Sequence, residues 1–330
     1  MDVGSCAIYN AYFQKNDVEQ FVENCDKGIK EPSTPINAFK DSWSALDLLA
    51  TSMSDQLDKG NYTHILVITM GWNTSQEEAI RNFNSISSNL KMSIGKQNFN
   101  PLVIGVTWPS MWANSWIPPI VDKLFSFPVK SNDADNLGLS WLGVLLNRTI
   151  PAVKKNVPVV VVGHSFGARA SSVAACVGPV IFNKEQDIVH APIDYLINLQ
   201  GAFRTVRLFG KDSDKFYFPS MCKNVVHFVM VASDNDFSMP ILRWGAPYAG
   251  DNRSYDEYCG TGSTKIHCGK ATKLGEVTYR EENVKFDSNL YYINVNELIT
   301  ENAYLTGGGA HSDIYRREHG VMMRDILSLK

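Results

Sequence analysis

The stretch Pro158-Val159-Val160-Val161-Val162-Gly163-His164-Ser165-Phe166-Gly167-Ala168 decides the fold. Its unbroken apolar run, Val157 to Val162, reads as a short strand buried on both faces, the pattern of a parallel sheet covered by helices. Gly163 ends the strand. From Ala168 the chain turns to small residues (Ala170, Ser171, Ser172, Ala174, Ala175), which suit a helix lying close against a sheet. Between strand and helix the backbone must reverse sharply, and Gly163 and Gly167 leave room for it on either side of Ser165. Gly-x-Ser-x-Gly between a strand and a helix is the setting that lifts a serine out as a nucleophile.

Elements of the same kind flank this stretch. Phe39 to Asp58 has an amphipathic helical repeat, with Trp43, Leu46, Ala50, Met53 and Leu57 on one face. His64 to Met70 reads as a strand stopped by Gly71. Ser75 with Glu78 forms a capping-box pattern before a helix whose Ile80, Phe83, Ile86 and Leu90 share a face. Further strands are expected at Leu102 to Thr107, Tyr195 to Leu199, Val225 to Ala232 and Tyr291 to Val295, and a last helix from about Ile314 to Leu329. Apolar strands alternating with helices predict an α/β fold, a mostly parallel sheet flanked by helices on both faces. Trp108 to Asn147, with its prolines and aromatics, reads as less regular. Residues 243–285 are polar with several glycines and read as an irregular insertion.

A serine hydroxyl is a weak nucleophile at neutral pH and needs a base, itself oriented by a third group. On a turn of this kind the acid and then the base follow the serine along the chain. The strand Val225 to Ala232 runs into Ser233-Asp234-Asn235-Asp236, where a carboxylate would leave the sheet's C-terminal edge. Three histidines lie beyond it. His267 falls in a loop bounded by Cys259 and Cys268, and His319 falls inside the last helix, where it reads as a surface residue. His311 follows the last strand and Gly307-Gly308-Gly309 and precedes the last helix, so it fits the base best.

These segments resemble the α/β-hydrolase superfamily, serine esterase and lipase-like, and in particular a branch with HGWN- and WPS-type segments. Here those segments read Met70-Gly71-Trp72-Asn73 and Trp108-Pro109-Ser110. The resemblance runs from about His64 to the end of the chain. It implies one α/β-hydrolase domain over residues 61–330 and does not account for 1–60, read as an N-terminal extension and helix; the aromatic stretch within 108–147 reads as a small cap, or else as core or an oligomer contact. It also implies a Ser165–His311–Asp236 triad, Asp236 matching the Ser-x-x-Asp form of the acid loop; by the residues alone Asp234 is the alternative acid or a solvated turn residue. The oxyanion-hole amides would be those of Trp72 and Phe166. Met70 stands where the branch usually has histidine, a change that bears on the loop's conformation. Trp112 and Trp116, in an aromatic cluster with Trp108, would contact an acyl chain.

Composition narrows the alternatives. With 44% hydrophobic residues, 20% charged residues and a net charge of −3, the chain is a core-forming protein with no basic surplus for nucleic acid. Leu102 to Val121 has no charge, but its prolines and a strand-like first third argue against a membrane span. Cys259 and Cys268 are placed to close a disulfide, whereas Cys176 reads as a buried thiol, and Cys25 and Cys222 as a pair or as free thiols. No zinc-like spacing surrounds His267, so neither metal nor cofactor is expected. Met1 to Asn10 holds no long apolar segment, yet Val3-Gly4-Ser5-Cys6 looks like the end of a bacterial lipoprotein signal. An acylated Cys6 would make it a periplasmic or membrane-anchored bacterial lipoprotein; otherwise it is expected to be secreted or cytoplasmic. The expected function is hydrolysis of a small-molecule or lipid ester. The rival is a non-catalytic binding protein on the same scaffold, because a fold does not fix a function.

Overall fold

The computed structural model describes residues 35–72, 74–95, 97–108, 110, 119–181, 191–210, 218, 222–236, 248–260, 266–279, 289–300 and 309–329. Its frame is a sheet of β1 (His64–Thr69), β2 (Pro101–Val106), β3 (Val159–His164), β4 (Ile193–Leu199), β5 (Val225–Ala232), β6 (His267–Ala271), β7 (Val277–Tyr279) and β8 (Leu290–Asn294). Their order is β2-β1-β3-β4-β5-β8-β6-β7. All neighbours run parallel except β6 and β7.

Alternation along the central strands explains the layers. Ile65, Val67, Val159 and Val161 face one core, shared with α1 (Pro35–Lys59), α3 (Pro119–Leu139) and α4 (Phe166–Cys176). Leu66, Ile68, Val160 and Val162 face the other, shared with α2 (Gln76–Ile94) and α6 (Arg317–Leu327). With an apolar side chain pointing each way, these strands cannot form an edge, and both faces must be covered. The expected helical faces are the buried ones: Trp43, Leu46 and Met53 on α1, and Ile80, Phe83, Ile86 and Leu90 on α2. Ser75 caps α2, its hydroxyl accepting from the Glu78 amide at 3.2 Å.

Two regions depart from expectation. The irregular reading of Trp108–Asn147 gives way, from Pro119, to α3 and then to a helical run over 141–153 that includes a π-helical turn at Leu145–Thr149. Pro119 is the first residue of its helix, a position where a missing N–H costs nothing. The second half of α3 lies against α4 so closely that a Cβ at Gly138 would stand 2.6 Å from the Ala170 carbonyl. Residues 243–285, read as irregular, supply within their described part α5 (Asn252–Gly260) and the strands β6 and β7, which extend the sheet.

Disulfides join Cys259 to Cys268, as expected, and Cys176 to Cys222. Cys176 is therefore not a thiol: the end of α4 lies beside Cys222, three residues before β5. Among the described residues no helix is long and apolar enough to cross a membrane. Cys6 and Cys25 lie outside the described residues.

Candidate active site

The sharp turn predicted at Ser165 is present. Ser165 has φ 56° and ψ −120°, a left-handed conformation that an L-residue adopts only at a cost of about 1–3 kcal/mol. Neighbours on the next strand hold it there: its amide donates to Leu199 O at 3.0 Å, and its carbonyl accepts from Ala202 N at 3.0 Å. The flanking glycines are required by close approach. A Cβ at Gly163 would stand 2.5 Å from Ala168 Cα, and one at Gly167 would land on the Thr69 carbonyl. Gly71, just past β1, packs on Ser165 itself, where a Cβ would be 2.8 Å from that of the serine.

The loop after β1 is fastened by the segment after β2. Trp108 Nε1 donates to Met70 O at 2.8 Å. Ser110 Oγ accepts from the Thr74 amide at 3.2 Å and donates to its carbonyl at 3.0 Å. Met70 is buried and serves the loop through its backbone, which any residue could offer. Trp72 and Phe166 lie side by side across the turn, their ring centroids 6.1 Å apart. Trp108, grouped by sequence with the apolar cluster, is thus a clamp on this loop. Trp112 and Trp116 lie outside the described residues.

At the C-terminal edge of β5 and β8 the two carboxylates of the acid loop part ways. Asp236 Oδ2 is 2.7 Å from His311 Nδ1, and both side chains are largely buried. A carboxylate only accepts, so Nδ1 carries the proton and Nε2 is left with a lone pair. Asp234 is held instead by carboxamides: Asn296 Nδ2 at 2.7 Å and Asn252 Nδ2 at 3.1 Å. Asn235 ties the loop to the end of β8 through the carbonyls of Asn296 and Ile299. His311 sits in the 3₁₀ turn Gly309–Tyr315, against the residue that precedes the serine: its ring centroid is 4.5 Å from that of His164. Among the described residues no hydrogen bond joins the Ser165 hydroxyl to the His311 imidazole. Serine–histidine contacts are often long until substrate binds.

Two findings lie beyond the sequence reading. His319, expected at the surface, is fully buried, and neither ring nitrogen has a hydrogen-bond partner among the described residues. Burial, with Arg316 adding to it, pushes its pKa down to about 3, so it is neutral at pH 7. Its position on α6 turns inward because that helix packs on α2, with Gly320 against the Asn89 carbonyl. His267, by contrast, opens β6 and stacks on Tyr291 at 4.6 Å. The second finding is a buried ionic cluster one helical turn past Ser165. Asp135 on α3 receives paired bonds from Arg169 on α4 (2.8 and 2.7 Å) and from Arg207 after β4 (3.0 and 2.8 Å). Burial raises the Asp135 carboxyl, but the two guanidiniums outweigh it and hold the pKa below the usual carboxylate range. The one signal in the sequence was a single charge, Arg169, in a helix otherwise apolar or small.

A mostly parallel sheet covered on both faces, with a strained serine turn between β3 and α4, is the architecture of the α/β-hydrolase fold. Residues 47–174 match the family model described as "Alpha/beta hydrolase of unknown function (DUF900)", a match over part of the chain that agrees with the fold. That match takes in β1 to β3, Ser165 and most of α4, and ends before Asp236 and His311. No curated protein matches the sequence. Among solved structures, a lipase-esterase related protein from Clostridium acetobutylicum is similar at 10% identity and a TM-score of 0.33, over 82% of this chain and 96% of its own. That likeness is too slight to carry an argument.

Proposed function

We propose that the protein is a serine hydrolase of carboxylic esters, working through an acyl-enzyme. Ser165 Oγ attacks the ester carbonyl carbon, and His311 Nε2 takes the hydroxyl proton as the carbonyl π electrons move onto oxygen. The amides of Trp72 and Phe166 stabilise that oxyanion. Collapse expels the alkoxide, which leaves as the alcohol with the proton from His311. A water then repeats the sequence on the acyl-enzyme and releases the acid. Asp236 holds the imidazole in the productive tautomer and stabilises the imidazolium.

The observation that carries this reading is the 2.7 Å pairing of His311 Nδ1 with Asp236, beside a serine held in a strained turn. We extend the proposal to acyl esters whose chain contacts Trp112 and Trp116, with cleavage rising with chain length. The two disulfides suit an oxidising compartment, which favours an exported protein. The test is labelling by a fluorophosphonate together with turnover of chromogenic esters of graded length. Ser165 should be labelled, and Ser165→Ala should lose on the order of 10³ to 10⁶ in turnover. Undiminished hydrolysis by folded Ser165→Ala would overturn the reading, and a folded wild-type protein inert to both reagents would favour the binding protein.

A further inference from the structure

The last residue of β3, His164, follows the alternation of its strand. Val160 and Val162 face the α2–α6 core, and His164 turns the same way, towards the 3₁₀ turn that precedes α6. There its Nε2 lies 2.9 Å from the carbonyl oxygen of His311, 147 residues further along the chain. A carbonyl only accepts, so Nε2 must carry the proton and donate. The ring stays neutral: burial, then the neighbouring His311, pushes its pKa down to about 3. On its other side stands Tyr315, the ring centroids 6.4 Å apart.

His311 needs such an anchor. The residues before it, Gly308, Gly309 and Ala310, carry little side chain; Ala310 and Ile314 are buried in the α2–α6 core, and the His311 peptide between them is tied to β3 by the His164 bond. Asp236 grips the imidazole, which fixes the ring's tautomer and tilt. Where the ring's Cα stands relative to Ser165 is a separate degree of freedom, and His164 is covalently next to Ser165. We infer that His164 is a positioning residue that sets the base against the nucleophile by bonding the His311 carbonyl. This rests on the Ser165–His311–Asp236 reading above.

The test compares His164→Val, which removes the donor, with His164→Gln, whose Nε2 can reach the same carbonyl. Three quantities are read beside the melting temperature: kcat and KM on an ester, the rate of phosphonate labelling, and the far-downfield proton signal of the His311–Asp236 hydrogen bond. The valine variant should lose about 10- to 100-fold in kcat and labelling rate with KM within about twofold, the scale of a 1 Å misplacement. Its downfield signal should broaden or vanish. The glutamine variant should recover most of both. A folded valine variant with wild-type kcat and an intact signal would overturn the inference, as would a folded glutamine variant no better than valine. If the valine variant does not fold, the glutamine variant decides alone: near-wild-type signal and kcat support the role, and loss of both refutes it. Should Ser165 prove unreactive in the wild type, the triad falls, while the downfield signal still reports whether His164 holds His311.

Discussion

The serine turn is built from one unbroken stretch between β3 and α4, whereas Asp236 and His311 meet across 75 residues of sequence, from the ends of two neighbouring strands. In the first case every requirement is local: valines for a buried strand, glycines for close approach, small residues for the helix. In the second, two carboxylates sit two residues apart on the same loop, and only what surrounds each separates them. Asp236 meets an imidazole; Asp234 meets two carboxamides. The contrast teaches that a residue's type limits the chemistry open to it, and that its tertiary neighbours choose among the options.

The strongest way to break that contrast is to neutralise each carboxylate in turn. Asp236→Asn should lose roughly 10⁴ in kcat, because an amide favours the wrong imidazole tautomer. Asp234→Asn, which keeps its shape within the carboxamide network, should lose less than tenfold. Steady-state kinetics on one ester decides it, and reversed losses would make Asp234 the acid.

Next in size is a stability effect in the cluster that fastens α3 to the serine helix. Asp135→Asn leaves Arg169 and Arg207 buried without a counter-charge and should cost about 3–5 kcal/mol in denaturant unfolding at pH 7. The folded pKa of Asp135 lies below its unfolded value of about 3.9, so its contribution is complete above that value and fades as pH falls through the folded one. The difference between wild type and variant should therefore shrink in acid. A constant difference down to pH 2 would show that the cluster is not what the substitution disturbs.

The smallest effect concerns the buried histidines. His319 titrates near 3 when folded and near 6.5 when unfolded, so stability is full above pH 6.5 and falls as pH drops from there towards 3. His319→Leu should reduce that slope by about 1.4 kcal/mol per pH unit without sacrificing a hydrogen bond among the described residues at pH 7. An unchanged slope in urea melts between pH 4 and 6 would contradict the buried, neutral state.

Much of this architecture could be read before folding. The central strands were legible because buried parallel strands are continuous apolar runs, and α2 because its cap and its apolar face agree. β6 and β7 were not: His267–Ala271 and Val277–Tyr279 are short, and glycine and polar residues leave neither a continuous apolar run. The helix from Pro119 was hidden by its own proline pair, which marks a helix start as readily as a break. His319 was misread because a helical position says nothing about which neighbour covers it, and the neighbour is α2, more than 200 residues earlier in the chain.

The sequence by itself determined the α/β class, the serine turn, the clustering of Asp234 and Asp236 in one loop, and His311 as the histidine best placed to serve them. Those are consequences of side-chain size, polarity and order along the chain, which act between near neighbours. Only the tertiary structure decided which carboxamides hold Asp234, that Cys176 pairs with Cys222, that Asp135 gathers Arg169 and Arg207, and that His164 bonds the His311 carbonyl. Each of these depends on which strand ends lie side by side, and that order is set by how whole strands and helices cover one another's apolar faces.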